Sequence, residues 1–361
     1  MTPTVPVIWA AISGHGFGHA AQVVPVLNAL QKLVPGLSVV LRTSVPASFF
    51  QDRLAVPWSL QAVQQDVGCI QRGPLRIDVP ATWSAHDAFH ESWEARVQAE
   101  QDAMREVRPC VVIADTPYLA LYAGAQAGFR TVGLANFTWD EVLAAFEPDS
   151  RRNALLARIR AYYGAAELGI RLAPGLSLSA FRRVCNVGPI ADPARPRRAE
   201  LRAMLKTSDA ERLVLVAFGG IPLNSLPWKA IEGMEGYHFI VDGIVPPSVS
   251  NVTGLASLPY SFKTILASVD VVMTKPGYGT VVEAVAAGLA VLYVRRYNFA
   301  DEASLVDYLH RHGNAAELLL DDFEAGRWKA MLAKITQASR VAPPPRSEGA
   351  QEAAAALAEY F

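Results

Sequence analysis

The chain has 361 residues, 51% of them hydrophobic and 19% charged, which is material for more than one hydrophobic core and excludes a disordered chain. Lysine and arginine total 33 against 34 acidic residues, a net charge near −1, so neither nucleic acid nor an anionic membrane surface is an expected partner. The three cysteines, Cys69, Cys110 and Cys185, are too few and too widely spaced for a disulfide framework or a paired-cysteine zinc site, and fit a reducing compartment.

The apolar start at 5–12 is short, lacks a basic leader and runs straight into a glycine loop, which reads as a first strand rather than a signal peptide. Further short β-rich runs follow at 38–42, 110–114, 131–135, 169–172 and 184–187, separated by intervals long enough for helices. Composition then changes to proline and charge, with Gly188-Pro189 leading into Arg195-Pro196-Arg197-Arg198, as in an interdomain connection. A second series of runs covers 213–217, 238–241, 253–257, 269–273, 290–294 and 315–320. The pattern predicts an α/β chain of two doubly wound, Rossmann-like domains facing a cleft. The N-terminal domain spans 1–188, the linker 189–212 and the C-terminal domain 213–345, with a closing alanine-rich helix in 346–361. No run of 18 uncharged apolar residues occurs, so no integral membrane segment is expected and the location reads as cytoplasmic.

Ser13-Gly14-His15-Gly16-Phe17-Gly18-His19 follows the first strand and opens a helix. Alternating glycines allow close backbone approach to a ligand, and a helix terminus offers free N–H groups. The dinucleotide fingerprint is absent, because His19 stands where its last glycine belongs and no acid follows about 20 residues on. The plain alternative is a tight strand-to-helix turn.

Met273-Thr274-Lys275-Pro276-Gly277-Tyr278-Gly279-Thr280-Val281-Val282-Glu283 carries more chemistry. A strand, a glycine-bearing loop, a lysine, a hydroxyl and a helix start are what a diphosphate requires. Glu283 suits two vicinal ribose hydroxyls; the structural alternative is a capping box from Thr280 to Glu283, and the two roles are compatible. Phe218-Gly219-Gly220 gives a further close-approach loop, and the nucleotide base has Phe262 available to rest on.

His86 and His90, four apart beside Glu91, superficially match a zinc-protease helix, but no third ligand follows, and two surface histidines are expected instead. Asp115 ends a strand and Asp140 follows an aromatic cluster, so each is either a cleft base or a turn cap. No Asp-x-Asp pair is present to hold a metal, and no cofactor is expected.

The run from Lys275 through Glu283 to Gly288 resembles the donor-binding signature of GT-B glycosyltransferases, in the variety that makes the lipid-linked peptidoglycan precursor from UDP-N-acetylglucosamine. The likeness puts Asp301 and Glu302 where an acid–amide pair holds the donor sugar, and puts His19 on the closing histidine of the acceptor-side loop Gly14, Gly16, Phe17 and Gly18. That loop, Asp66-Val67-Gly68 and Asn136-Phe137-Thr138-Trp139-Asp140 also resemble the glycosyltransferase-like N-terminal part of plant arabinokinases. The resemblance implies a metal-independent transferase moving a sugar from a nucleotide-sugar donor, UDP-linked by preference, to an unidentified hydroxyl acceptor. His19 or His15 is the expected base, kept neutral by the helix end, with Asp115 and Asp140 as alternatives. Nucleotide-sugar epimerisation, or nucleotide-sugar binding without catalysis, are the rival expectations.

Overall fold

Strands covered by helices on both faces read as continuous apolar runs, and VIWAAI, VVIAD and RLVLV behave accordingly. The computed structural model describes residues 5–219, 226–336 and 342–361. Its first sheet contains β1 (Val7–Ile12), β2 (Ser38–Thr43), β3 (Trp58–Ala62), β4 (Val111–Asp115), β5 (Arg130–Ala135), β6 (Leu168–Leu172) and β7 (Val184–Val187). They lie in the order β3-β2-β1-β4-β5-β6-β7, every pairing parallel. The second sheet contains β8 (Arg212–Val216), β9 (Tyr237–Val241), β10 (Val252–Gly254), β11 (Val271–Thr274), β12 (Ala290–Tyr293) and β13 (Asn314–Glu317). Its order is β10-β9-β8-β11-β12-β13, again all parallel.

The strand β3 is absent from the sequence reading, because WSLQA is a half-exposed edge strand with polar residues in it. The run expected at 253–257 turns into a short 3-10 helix, Leu255–Ser257, and that at 315–320 stops at Glu317 before the helix Leu320–Glu324. In both sheets the chain order reverses between two adjacent strands, β1 beside β4 and β8 beside β11. Ligands of doubly wound sheets lodge at such points. The register sets Ile12 opposite Asp115, so the first pair ends level.

The stretch expected as a linker holds the helix Arg198–Leu205, whose Arg202 pairs with Asp270 of the second domain at 3.0 Å. The last helix, Gly349–Ala358, returns to the first domain and packs on the helix Gly18–Leu33. Ala350, Ala353, Ala354 and Leu357 are buried in one apolar cluster with Val23, Leu27 and Leu30. Gly188 donates its N–H to Glu352 Oε2 at 2.6 Å, and a Cβ at Gly349 would stand 2.0 Å from Gly188 O, so that closure tolerates no side chain. Among the described residues no helix is long and apolar enough to cross a membrane.

Tyr278, expected to touch the donor, instead joins the domains. It is buried; its hydroxyl donates to Ala173 O at 3.1 Å and accepts from Ile190 N at 3.0 Å. Tyr278→Phe strands that N–H and carbonyl, so stability should fall by about 1–3 kcal/mol. Urea titration should show a lower midpoint at an unchanged m value, and an unmoved midpoint would contradict the role.

Candidate functional site

At the end of β1, Ser13 N donates to Asp115 O at 2.7 Å, fastening the glycine loop to the end of β4. Gly16 turns the loop at φ +89, where an L side chain is strained, and the helix Gly18–Leu33 starts without a side-chain cap. His19, in its first turn, meets Asp115 with Nδ1 to Oδ1 at 2.8 Å; the two are only 6% and 1% exposed. Of the four candidate bases, these two are brought together. Asp140 is not: its Oδ2 accepts from Arg160 Nε at 3.0 Å.

Burial alone would lower the His19 pKa, but Asp115, then Asp66 and Asp301, raise it above 6.5. The expectation that the helix end keeps this ring neutral is therefore corrected: nearby carboxylates outweigh a terminal half-charge. Asp66, buried, accepts from Ser13 Oγ at 3.0 Å and from Trp139 Nε1 at 2.8 Å, and burial raises its pKa. His15 is held by Gln71, whose Nε2 donates to His15 Nε2 at 2.8 Å. Burial, followed by His19, Lys275 and Arg296, pushes its pKa down to about 3, so this ring is neutral.

A Cβ on Gly68, at φ +72, would come within 2.5 Å of His15 Nδ1. Gly68 is in turn fixed by His86, whose Nε2 donates to the Gly68 carbonyl at 3.0 Å. His86 is wholly buried and pushed down to about 4 by that burial, and His90 stacks on Trp93 at 5.2 Å, so the pair is not the surface pair expected. Among the described residues no group of three or more His, Cys, Asp or Glu side chains is arranged to hold a metal. Gly14 lies beside Ser44 and borders a cavity of about 270 Å³, while Phe17 is 46% exposed and stacks on Phe49 at 5.3 Å.

The second sheet brings the other set. Gly219, at φ +73, lies against Lys275: a Cβ there would be 3.5 Å from Lys275 Cε. Gly220 lies outside the described residues. The helix Tyr278–Ala287 begins after Gly277 with no side-chain cap, which leaves the amides of Tyr278, Gly279 and Thr280 to a ligand. It starts two residues before Thr280, so the expected capping box does not form. Glu283 sits instead one turn further in, where its Oε1 accepts from Lys263 Nζ at 2.7 Å and from Asp192 N at 3.1 Å. Its buried Oε2 has no partner among the described residues. Phe262, next to Lys263, opens the helix Phe262–Ser268 and is 36% exposed. Burial, then Arg296, pushes Lys275 down to about 7.

Arg296 was missed by the sequence reading. Its Nε meets Glu302 Oε1 at 2.5 Å, its own N–H donates to Glu302 Oε2 at 3.0 Å, and its guanidinium covers Phe299 at 4.0 Å. Glu302, 0% exposed, turns both oxygens to Arg296 and faces Arg295 at 3.8 Å, so it serves the arginine loop rather than standing open to a sugar, which corrects its expected role. Asp301 differs. Asn136 of the first domain donates to its Oδ2 at 3.2 Å, Oδ1 is buried without a partner among the described residues, and burial pushes its pKa up to about 7. Phe299 packs edge-on against Phe137 at 5.7 Å beside this bond, so the loop closes over the His19 side. Two arginines six residues before an acid were the available signal.

No family model matches the chain. Over 332 residues it is 28% identical to L-arabinokinase of Arabidopsis thaliana, a match covering 89% of this chain but 31% of that protein, so the chain spans about a third of its relative's length. Solved structures align almost end to end. The calicheamicin glycosyltransferase CalG4 gives a TM-score of 0.62 at 17% identity, covering 99% of this chain and 95% of that one. The glycotransferase of kitacinnamycin gives 0.63 at 17%, covering 99% and 96%. UGT71G1 of Medicago truncatula, complexed with UDP-glucose, gives 0.63 at 11%, covering 98% and 93%. Two parallel sheets meeting at a cleft, in the arrangement of these transferases, make this a GT-B fold, similar in sequence to part of a plant arabinokinase.

Proposed function

We propose that the protein transfers a sugar from a nucleotide-sugar donor to a hydroxyl acceptor, without a metal. The observation that carries this reading is the convergence of two half-sites: the His19–Asp115 pair ends one sheet, while Lys275 and Arg296, from the other, lie near enough to depress His15. The diphosphate rests on the amides of Gly277 to Thr280 and on Lys275, with Gly219 leaving room for it. Glu283, through its free Oε2, takes the ribose, and Phe262 borders the base. Asp301 Oδ1 faces the donor sugar. The Asp115 carboxylate occupies His19 Nδ1, which directs Nε2 toward the acceptor hydroxyl as general base.

A thermal-shift panel of UDP-, GDP- and dTDP-sugars should raise the melting temperature for at least one donor, and nucleoside diphosphate release in its presence should continue in EDTA. Binding without release would leave a non-catalytic binder; conversion to an isomeric nucleotide sugar would mark an epimerase.

Lys275 fixes a pH dependence. Its pKa is about 7, so it is charged below that pH and loses its proton above. The diphosphate diester of a nucleotide sugar does not titrate in this range. Donor affinity measured by calorimetry should therefore fall from pH 6 to pH 8, and Lys275→Gln should flatten the profile. Because Asp115 lifts His19 above 6.5, the acid limb of kcat should lie above that value. Asp115→Asn should shift the limb to lower pH and reduce kcat by about 10²–10⁴, with donor affinity retained. An unmoved limb would place the base elsewhere.

A further inference from the structure

The cavity beside the glycine loop has a composition of its own. About 270 Å³ in volume, it opens beyond the carboxyl ends of β1, β2 and β3 and is lined by Gly14, His15, Ser44, Gln64, Asp66 and Val67. Four of these six residues carry side chains able to form hydrogen bonds, and Val67 is the one apolar side chain. Asp66 already accepts one bond on each oxygen, and a carboxylate oxygen has a second lone pair free. The His15 ring, bonded by Gln71 through Nε2, is set as a neutral imidazole with its hydrogen on Nδ1. Ser44 and Gln64 are exposed at the mouth. The wall is rigidly placed, since His86 pins Gly68 and Trp139 and Ser13 pin Asp66. Asp66 also bears on the His19 charge, which puts the cavity next to the base.

We propose that this cavity receives the acceptor, and that the acceptor is a small, uncharged, polyhydroxylated molecule of the monosaccharide class. The inference rests on the transferase reading above. The volume falls below the roughly 300–1,000 Å³ usual for pockets of drug-sized ligands. A carboxylate in the wall, with no lysine or arginine among the lining residues, repels a phosphorylated or carboxylated acceptor. A flat aromatic alcohol offers few hydroxyls to His15, Ser44, Gln64 and Asp66, and a site built to bond hydroxyls discriminates against ligands lacking them. In the step itself, an acceptor hydroxyl oxygen bonds to the anomeric carbon as that carbon's bond to the diphosphate oxygen breaks. The bonding pair leaves on the diphosphate, beside Lys275 and Arg296, and the hydroxyl proton passes to His19 Nε2.

The test gives wild-type protein, with a donor from the thermal-shift panel, three acceptor sets: neutral monosaccharides, their phosphates, and flavonols. Product is followed by mass spectrometry. A disaccharide from a neutral sugar is expected. Gln64→Ala and Ser44→Ala should each raise the acceptor KM about tenfold or more, with donor affinity by calorimetry and the melting temperature retained. Glycosylation confined to sugar phosphates or flavonols, no product from any neutral sugar, or an unchanged KM in both variants would overturn the acceptor assignment while leaving the transferase reading in place. Failure of every nucleotide sugar to bind would instead overturn the transferase reading, and this one with it.

Discussion

Reversal of strand order is the constraint on which everything else in the molecule rests. Between β1 and β4, and between β8 and β11, the connecting helices leave for opposite faces of the sheet, and no crossover covers the gap at the carboxyl edge. The loops at these two gaps are where backbone amides and short side chains lie open. Ser13 to His19 and Asp115 occupy one; Gly219 and Lys275 to Thr280 occupy the other. Neighbouring segments brace them, as Gly68 packs on His15, and the Asp301 segment of the second domain is tied to Asn136 of the first.

The cleft alternates charge. Asp115 and Asp66 surround His19, Arg296 lies on Glu302, and Lys275 stands between Arg296 and Asp301 in its electrostatic surroundings. Ionised groups withdrawn from water are costly unless paired, so most of these have partners. The exceptions are informative. Asp301 Oδ1, Glu283 Oε2 and Asp115 Oδ2 are buried acceptors without protein donors among the described residues. Lys275, depressed to about 7, has no ion-pair partner at bonding distance among the described residues.

Much of this was readable from residues in order. The strands of both sheet centres are apolar runs with glycine, proline or aspartate at their ends, and both glycine loops follow a strand directly. Edges were less readable: WSLQA in β3 is half polar because one side of it has no neighbouring strand. Helix starts were off by about half a turn at Tyr278, since Gly277 caps through its extended backbone and leaves no side-chain signature. Pairings across the chain were not readable at all. That Glu302 serves Arg296 and not a sugar, that Asp140 serves Arg160, and that His86 is buried under Gly68 depend on folding distant segments together.

The return of the helix Gly349–Ala358 to the first domain means that the chain passes between the domains twice, once after β7 and once before Gly349. A single tether lets two bodies swing in any direction. Two tethers side by side act as a pair of door hinges, leaving one easy rotation about the line that joins them. Tyr278, buried between the segments at Ala173 and Ile190, sits at this hinge line. Opening the cleft then separates Asn136 from Asp301 and Phe137 from Phe299 in one movement, and closing it restores both. The half-sites of the two domains thereby meet along a fixed arc, with no search over orientations.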